Sequence, residues 1–186
     1  MTTTTVPETL VSAEELYEMG DIGPCELIEG RIIKMSPTKT THGRLESRLD
    51  RWLGNFVEAN DLGEVMTGET GIYTKRNPDT VRGADILFIS HGRLKMATPD
   101  KFLDVAPELV IEILSPSDRW KDMEKKIAEY FAIGVEWVWV VDPKKKAVMV
   151  FSSSETMKVY KEGDVLSGES ISKGFQLDIS KFFSRL

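Results

Sequence analysis

Two acids sit where acids are costly to place. Asp85 lies inside the apolar run ADILFIS at 84–90, and Glu112 lies inside PELVIEILS at 107–115. Side chains alternate between the two faces of a strand. That rule puts Ala84, Ile86 and Phe88 on one face of the first run, with Asp85, Leu87 and Ile89 on the other. In the second run Leu109, Ile111 and Ile113 share a face, opposite Glu108, Val110, Glu112 and Leu114. Glu112 therefore has aliphatic neighbours on both faces, and an inner strand buries its charge. Such burial is strongly unfavourable unless a cation or hydrogen-bond donors compensate. Two carboxylates on neighbouring strands suit a divalent cation such as Mg²⁺, which takes a few carboxylate oxygens, keeps some waters and bridges to phosphate. The structural alternatives are a backbone cap for Asp85 at a strand end and an ion pair for Glu112. Glu108, directly after Pro107, reads as an edge residue near solvent.

The segment KDMEKKIAEYFAIGVE offers the complementary charge. It sets Lys126 and Tyr130 one helical turn apart, on the side shared with Ile127 and Phe131. A lysine close to two carboxylates can polarise a scissile phosphate or hold an attacking water; alone on an amphipathic helix, a lysine more often faces solvent. His42 opens an earlier helix with Glu46 one turn on. It reads either as a general base or metal ligand, or as a surface or capping residue. No GxSxG, HExxH, Walker A or GxGxxG pattern occurs. The single cysteine, Cys25, excludes a disulfide framework and a cysteine-built zinc or iron–sulfur site, and reads as a packed thiol. The tryptophans form no stacking ladder: Trp137 and Trp139 read as core, Trp52 packs on its helix, and Trp120 covers the loop before the next helix.

These residues need elements to hold them. Ser12 followed by Glu15 reads as a capping box opening a short helix that ends near Gly20. CELIEGRIIKM reads as two short strands turning at Glu29-Gly30. Over 40–60, Leu45, Leu49, Trp52, Leu53 and Phe56 recur at spacings of three and four, with Arg44, Arg48 and Arg51 elsewhere around the helix. GEVMT and GIYTK read as two strands linked near Gly68, and the helix over Lys121 to Ala132 closes at Gly134. VEWVWVVDP is a buried strand ended by Pro143, and a hairpin over about 147–160, another strand and a short helix complete the chain. The pattern is α/β (α+β) with a mixed central sheet. The 186 residues suit one domain, 1–186, with a mobile tail over 1–11.

Charge sets limits on the partner. Residues 1–30 hold seven acids and no Lys or Arg, which leaves 24 basic against 23 acidic side chains in residues 31–186. The formal net charge of −6 thus belongs to the N-terminal segment. A nearly neutral remainder permits a nucleic-acid substrate without predicting one. The strongest apolar stretch, Val135 to Val141, contains Glu136 and is far short of the roughly twenty residues a membrane helix needs. MTTTTVPETL has neither a basic segment nor an apolar run, so the expectation is a cytoplasmic protein.

CELIEGRIIKMSPTKTTHGRL, ADILFI, PELVIEILSPSDRW and KIAEYFAIGVEWVWVVDP, in that order, resemble a large bacterial family of putative restriction endonucleases within the PD-(D/E)XK nuclease superfamily. The likeness covers roughly residues 14–150. It implies a restriction-endonuclease-like mixed sheet flanked by helices, with an N-terminal hairpin and a C-terminal β extension. It also implies hydrolysis of DNA phosphodiesters with Mg²⁺ or Mn²⁺, commonly by a homodimer. Carried over by position, Asp85 and Glu112 match the metal-binding acids, joined by the Ile113 carbonyl, and Lys126 matches the helix lysine. Glu26 and His42 match further positions, Glu26 as an additional acid of the pocket. Two positions depart from the superfamily pattern: Ala84 stands in place of its proline, and Leu114 in place of the lysine two residues after the second acid. Leu114 carries no charge, so catalysis requires that Lys126 reach the site from its helix. The competing expectations are a nuclease-like fold that binds nucleic acid or protein without turnover, and a hydrolase of smaller phosphorylated substrates.

Overall fold

In the structure, a computed structural model, residues 10–168, 171 and 174–184 are described. The tail expected to be mobile over 1–11 lies outside the described residues as far as residue 9; Val11 is held, its N–H donating to the Gly30 carbonyl at 2.8 Å. Helix α1 (Ala13–Glu18) opens with the capping box anticipated from Ser12 and Glu15. Strands β1 (Cys25–Ile28) and β2 (Arg31–Lys34) form the N-terminal hairpin. Its two turn residues, Glu29 and Gly30, both adopt positive φ, as a two-residue hairpin turn requires. Helix α2 (Thr40–Ala59) leads into a long antiparallel pair, β3 (Gly63–Lys75) and β4 (Thr80–Ser90), followed by the short α3 (His91–Leu94).

Strand β5 (Leu109–Ile113) runs antiparallel to β4 and parallel to β6 (Trp137–Asp142), with α4 (Trp120–Ala132) in the connection between β5 and β6. A parallel pair needs such a crossover. β7 (Ala147–Phe151) and β8 (Met157–Tyr160) extend the sheet, giving the path β2-β1-β4-β5-β6-β7-β8 with β3 on β4. The chain ends in a small pair, β9 (Val165–Ser167) with β10 (Gln176–Asp178), and α5 (Ile179–Phe182).

Helices cover both faces of the mixed sheet. Leu45, Leu49, Leu53 and Val57 of α2 pack with Ile86, Phe88, Ile111, Trp139 and the aromatic residues near the C-terminus. Met123, Ile127 and Tyr130 of α4 pack with Leu87, Ile89, Val110, Val138 and Val140 on the other face. No described helix is long and apolar enough to cross a membrane.

One detail differs from the sequence reading and a second has no counterpart in it, and both bear on the site. GEVMT and GIYTK are one strand, β3, interrupted by a register shift between Thr67 and Thr70 where Gly68 and Glu69 take positive φ. Opposite that bulge, Ala84 joins the cluster of Leu87 and Ile89 rather than that of Ile86 and Phe88, so strict alternation fails beside Asp85. A bulge re-aims side chains locally in this way. The second detail is a gap in the ladder. β3 pairs with β4 along its length, leaving β4 one remaining edge. There β1 meets Val81 and β5 meets Ile86, Leu87 and Phe88. Residues 82–85 lie between the two partners, and the sheet opens at that point.

Candidate active site

The opening in the β4 edge is lined by backbone and acids. Asp85 is in mid-strand and 8% exposed, so it is not the strand-end residue that a simple cap would explain. Its Oδ2 accepts a hydrogen bond from the Ile113 N–H at 2.6 Å and lies 3.1 Å from His42 Nε2. The side chain thus bridges the edge of β5 and the first turn of α2. Both contacts fall on Oδ2, and neither uses Oδ1.

Glu112 projects from β5 toward α4 and is 4% exposed. Its Oε1 accepts from the Tyr130 hydroxyl at 2.8 Å, and its Oε2 accepts from Lys126 Nζ at 2.8 Å. Lys126 also donates to the Gly83 carbonyl at 2.8 Å and stands 3.1 Å from Glu26 Oε1. Its ammonium therefore turns inward, into the gap between β1 and β5. The one-turn spacing of Lys126 and Tyr130 lets a single helix face grip both oxygens of one carboxylate. Leu114, by contrast, does not line the cavity that holds the two acids; it lines a neighbouring one.

A second layer fixes these groups. Glu26 is 8% exposed and accepts from Arg82 at 2.8 Å and from the Gly83 N–H at 3.1 Å. Arg82 in turn makes a two-pronged bond to Glu129, at 2.6 and 3.0 Å. Planar, bidentate pairing of this kind sets orientation as well as charge. Arg82 and Glu129 are absent from the sequence-level site, although an arginine three residues before Asp85 in a buried strand was the available signal. Beyond His42, Glu46 lies with Oε2 at 3.7 Å from Nδ1, and that buried ring nitrogen has no hydrogen-bond partner. His42 is 6% exposed, which overturns its reading as a surface or capping residue.

Proton affinities follow from this crowding. Burial raises the Glu112 pKa to about 7, with Lys126 opposing and Asp85 reinforcing the rise. Burial likewise pushes Glu26 upward, but Lys126 and Arg82 outweigh it and hold the carboxyl below its usual range. Burial alone would lower His42; the hydrogen bond and charge of Asp85 prevail and raise it. A stability prediction for the metal-free protein results. Glu112 holds its proton more tightly when folded, so its contribution is complete below the unfolded value of 4.5 and is lost as pH rises through about 7. His42 acts in the same sense from 6.5 upward, whereas Glu26 acts oppositely and below 4.5. In EDTA, the thermal midpoint should fall as pH rises from about 5 to 8, and Glu112→Gln should flatten that slope.

Asp85, Glu112, Glu26, His42 and Lys126 line one cavity of about 400 Å³. No group of three or more His, Cys, Asp or Glu side chains among the described residues is placed to enclose a metal by itself. Mg²⁺ and Mn²⁺ do not require that: one or two carboxylates with retained waters suffice. A carboxylate carries about four lone-pair positions, so the bonds from Lys126 and Tyr130 leave Glu112 further capacity. Two hard-oxygen donors beside open volume fit such an ion, and fit zinc poorly.

The fold that carries these residues, a mixed sheet flanked by helices, is that of a nuclease-like protein. Residues 13–180 match the family Uma2, putative restriction endonuclease, and the chain belongs to that family. Among solved structures, a "putative nuclease belonging to DUF820" from Anabaena variabilis ATCC 29413 superposes with a TM-score of 0.79 at 21% identity, covering 94% of this chain and 98% of the other. The likeness extends the restriction-endonuclease-like fold over nearly the whole chain. No curated protein matches the sequence.

Proposed function

We propose that the protein is a metal-dependent nuclease that hydrolyses DNA phosphodiester bonds. The observation that carries this reading is the convergence of Asp85, Glu112 and the Lys126 ammonium on one cavity, with Lys126 Nζ 2.8 Å from Glu112 Oε2. Asp85, Glu112 and the carbonyl of Ile113 would hold Mg²⁺ or Mn²⁺. Such an ion supplies Lewis acidity and neutralises charge on the phosphoryl group.

The remaining work falls to the chain's own groups. The Ile113 N–H and His42 orient Asp85, while Tyr130 and Lys126 orient Glu112. Lys126 brings a fixed positive charge to the place where negative charge builds on the phosphate oxygens, the form of stabilisation that costs no reorganisation during reaction. Glu26 and the Gly83 carbonyl hold that ammonium in place, and Arg82 holds Glu26.

A second reading draws on the same contacts. Lys126 already has three acceptors, which is also how a purely structural lysine is satisfied. On that reading the protein is a nuclease-fold module that binds without cutting. The deciding experiment offers supercoiled, linear and single-stranded DNA at low salt with Mg²⁺, Mn²⁺ or EDTA. The nuclease reading requires cutting with a metal and none in EDTA. Metal-dependent binding without cleavage under every condition would establish the module.

A further inference from the structure

A second cavity, of about 490 Å³, adjoins the first and shares Lys39, His42, Ser115 and Asp118 with it. It lies between the loop after β5 and the β6–β7 turn, and it is lined by Leu114, Pro116, Trp120, Pro143 and Met149 together with Lys144 and Lys145. Trp120, the first residue of α4, is 41% exposed, an unusual setting for an indole. Phe151 stands behind it, with ring centroids 6.5 Å apart at 34°. The acids of this region are engaged locally: Asp118 accepts from the Ser115 N–H at 2.7 Å, and Asp142 accepts from the N–H groups of Lys144 and Lys145 at 3.0 Å. Lys39, Lys144 and Lys145 are exposed at its rim.

We infer that this cavity takes an unpaired nucleobase of the strand being cut, stacked on Trp120, with the lysines meeting its flanking phosphates. The inference rests on the nuclease reading and narrows its substrate to DNA with a single-stranded stretch at the scissile phosphate. An aromatic face beside lysines is how single strands are bound without sequence preference. A base within a duplex has both faces covered by its stacked neighbours and cannot use the indole. The near-neutral charge of residues 31–186 agrees, because duplex binding leans on many phosphate contacts. Continuity between the cavities places the stacked nucleotide next to the phosphate in the first one.

The test is binding in EDTA, where cutting does not intervene. A labelled thymidine oligonucleotide and a blunt duplex of equal length are titrated with the intact protein by anisotropy, following tryptophan emission in parallel. The single strand should bind more tightly and quench emission. Trp120→Ala should weaken it about tenfold, the size of one lost base stack, with Trp120→Phe largely restoring affinity and duplex binding unchanged. The double variant Lys144→Ala/Lys145→Ala should lower the salt slope for the single strand by about 1.4, two contacts' worth. Because Trp120 is exposed, an unchanged thermal midpoint will show that the variants are folded. Equal single-strand affinity for wild type and Trp120→Ala, or equal weakening toward duplex, would overturn the inference even where wild-type cleavage stands. An absence of wild-type cleavage would instead count against the nuclease reading.

Discussion

Asp85→Asn and Glu112→Gln, each purified beside the wild type, are expected to lose plasmid cleavage by roughly a thousandfold or more. Both changes keep size and shape and remove only the charge. The ion these carboxylates are proposed to hold supplies several kcal/mol of charge stabilisation, and each ~1.4 kcal/mol is a factor of ten in rate. The two losses should not add in the double variant, because residues acting as a unit fail together. The variants should still fold. The amide introduced by Asp85→Asn would keep an acceptor for the Ile113 N–H, and that introduced by Glu112→Gln would keep one for Tyr130 or Lys126. Equal cutting by wild type and double variant would mean that the activity is not this protein's.

Lys126→Ala carries the second large effect, and it acts on two observables at once. Its loss should lower kcat about 10²–10³-fold with KM little changed, as when one preorganised donor is removed from a reacting centre. It should also destabilise the metal-free protein, because Glu112 is left buried without its cation, a change typically worth about 3–5 kcal/mol. The sign with pH follows from Glu112, whose pKa burial already raises to about 7. Lys126 holds that value down, so without the lysine it rises further; the variant's Glu112 keeps its proton to higher pH, and the penalty grows as pH climbs above about 7. Thermal midpoints of Lys126→Ala and wild type should therefore diverge more at pH 8 than at pH 6. A lysine with only a structural role would reproduce the stability loss but would leave kcat of the folded enzyme unchanged.

Much of this arrangement was legible in the residues because charge inside an apolar strand is conspicuous. Asp85 and Glu112 stand out for that reason, and the capping box at Ser12 and the turn at Glu29-Gly30 follow from local chemistry alone. Lys126 was harder. KDMEKK presents three lysines on one amphipathic helix; periodicity puts Lys126 on the side shared with Ile127 and Phe131 but cannot say that its ammonium turns inward, and the resemblance adds its match to the helix lysine. What turns it inward is tertiary: the Gly83 carbonyl and Glu26, both from strands far away in sequence.

The misreadings have physical causes too. The positive φ of Glu69 beside Gly68 lets β3 continue through a bulge, so a glycine that reads as a link is part of a strand. The same bulge breaks the alternation that assigned Ala84 to the wrong face. His42 resembled a surface residue because the partner that buries it, Asp85, is 43 positions further on. Arg82 is a charge inside a buried strand and so carries a signal of its own, but Glu129 is an ordinary acid on an amphipathic helix, and only the fold pairs the two.

The central claim is that Asp85 and Glu112 jointly bind a divalent cation, and Mn²⁺ titration followed by electron paramagnetic resonance tests it without requiring turnover. The free six-line signal should be suppressed by the wild type until the cavity saturates, and should persist undiminished with Asp85→Asn or Glu112→Gln. Mn²⁺ uptake that is identical in all three proteins would place the ion elsewhere and contradict the account.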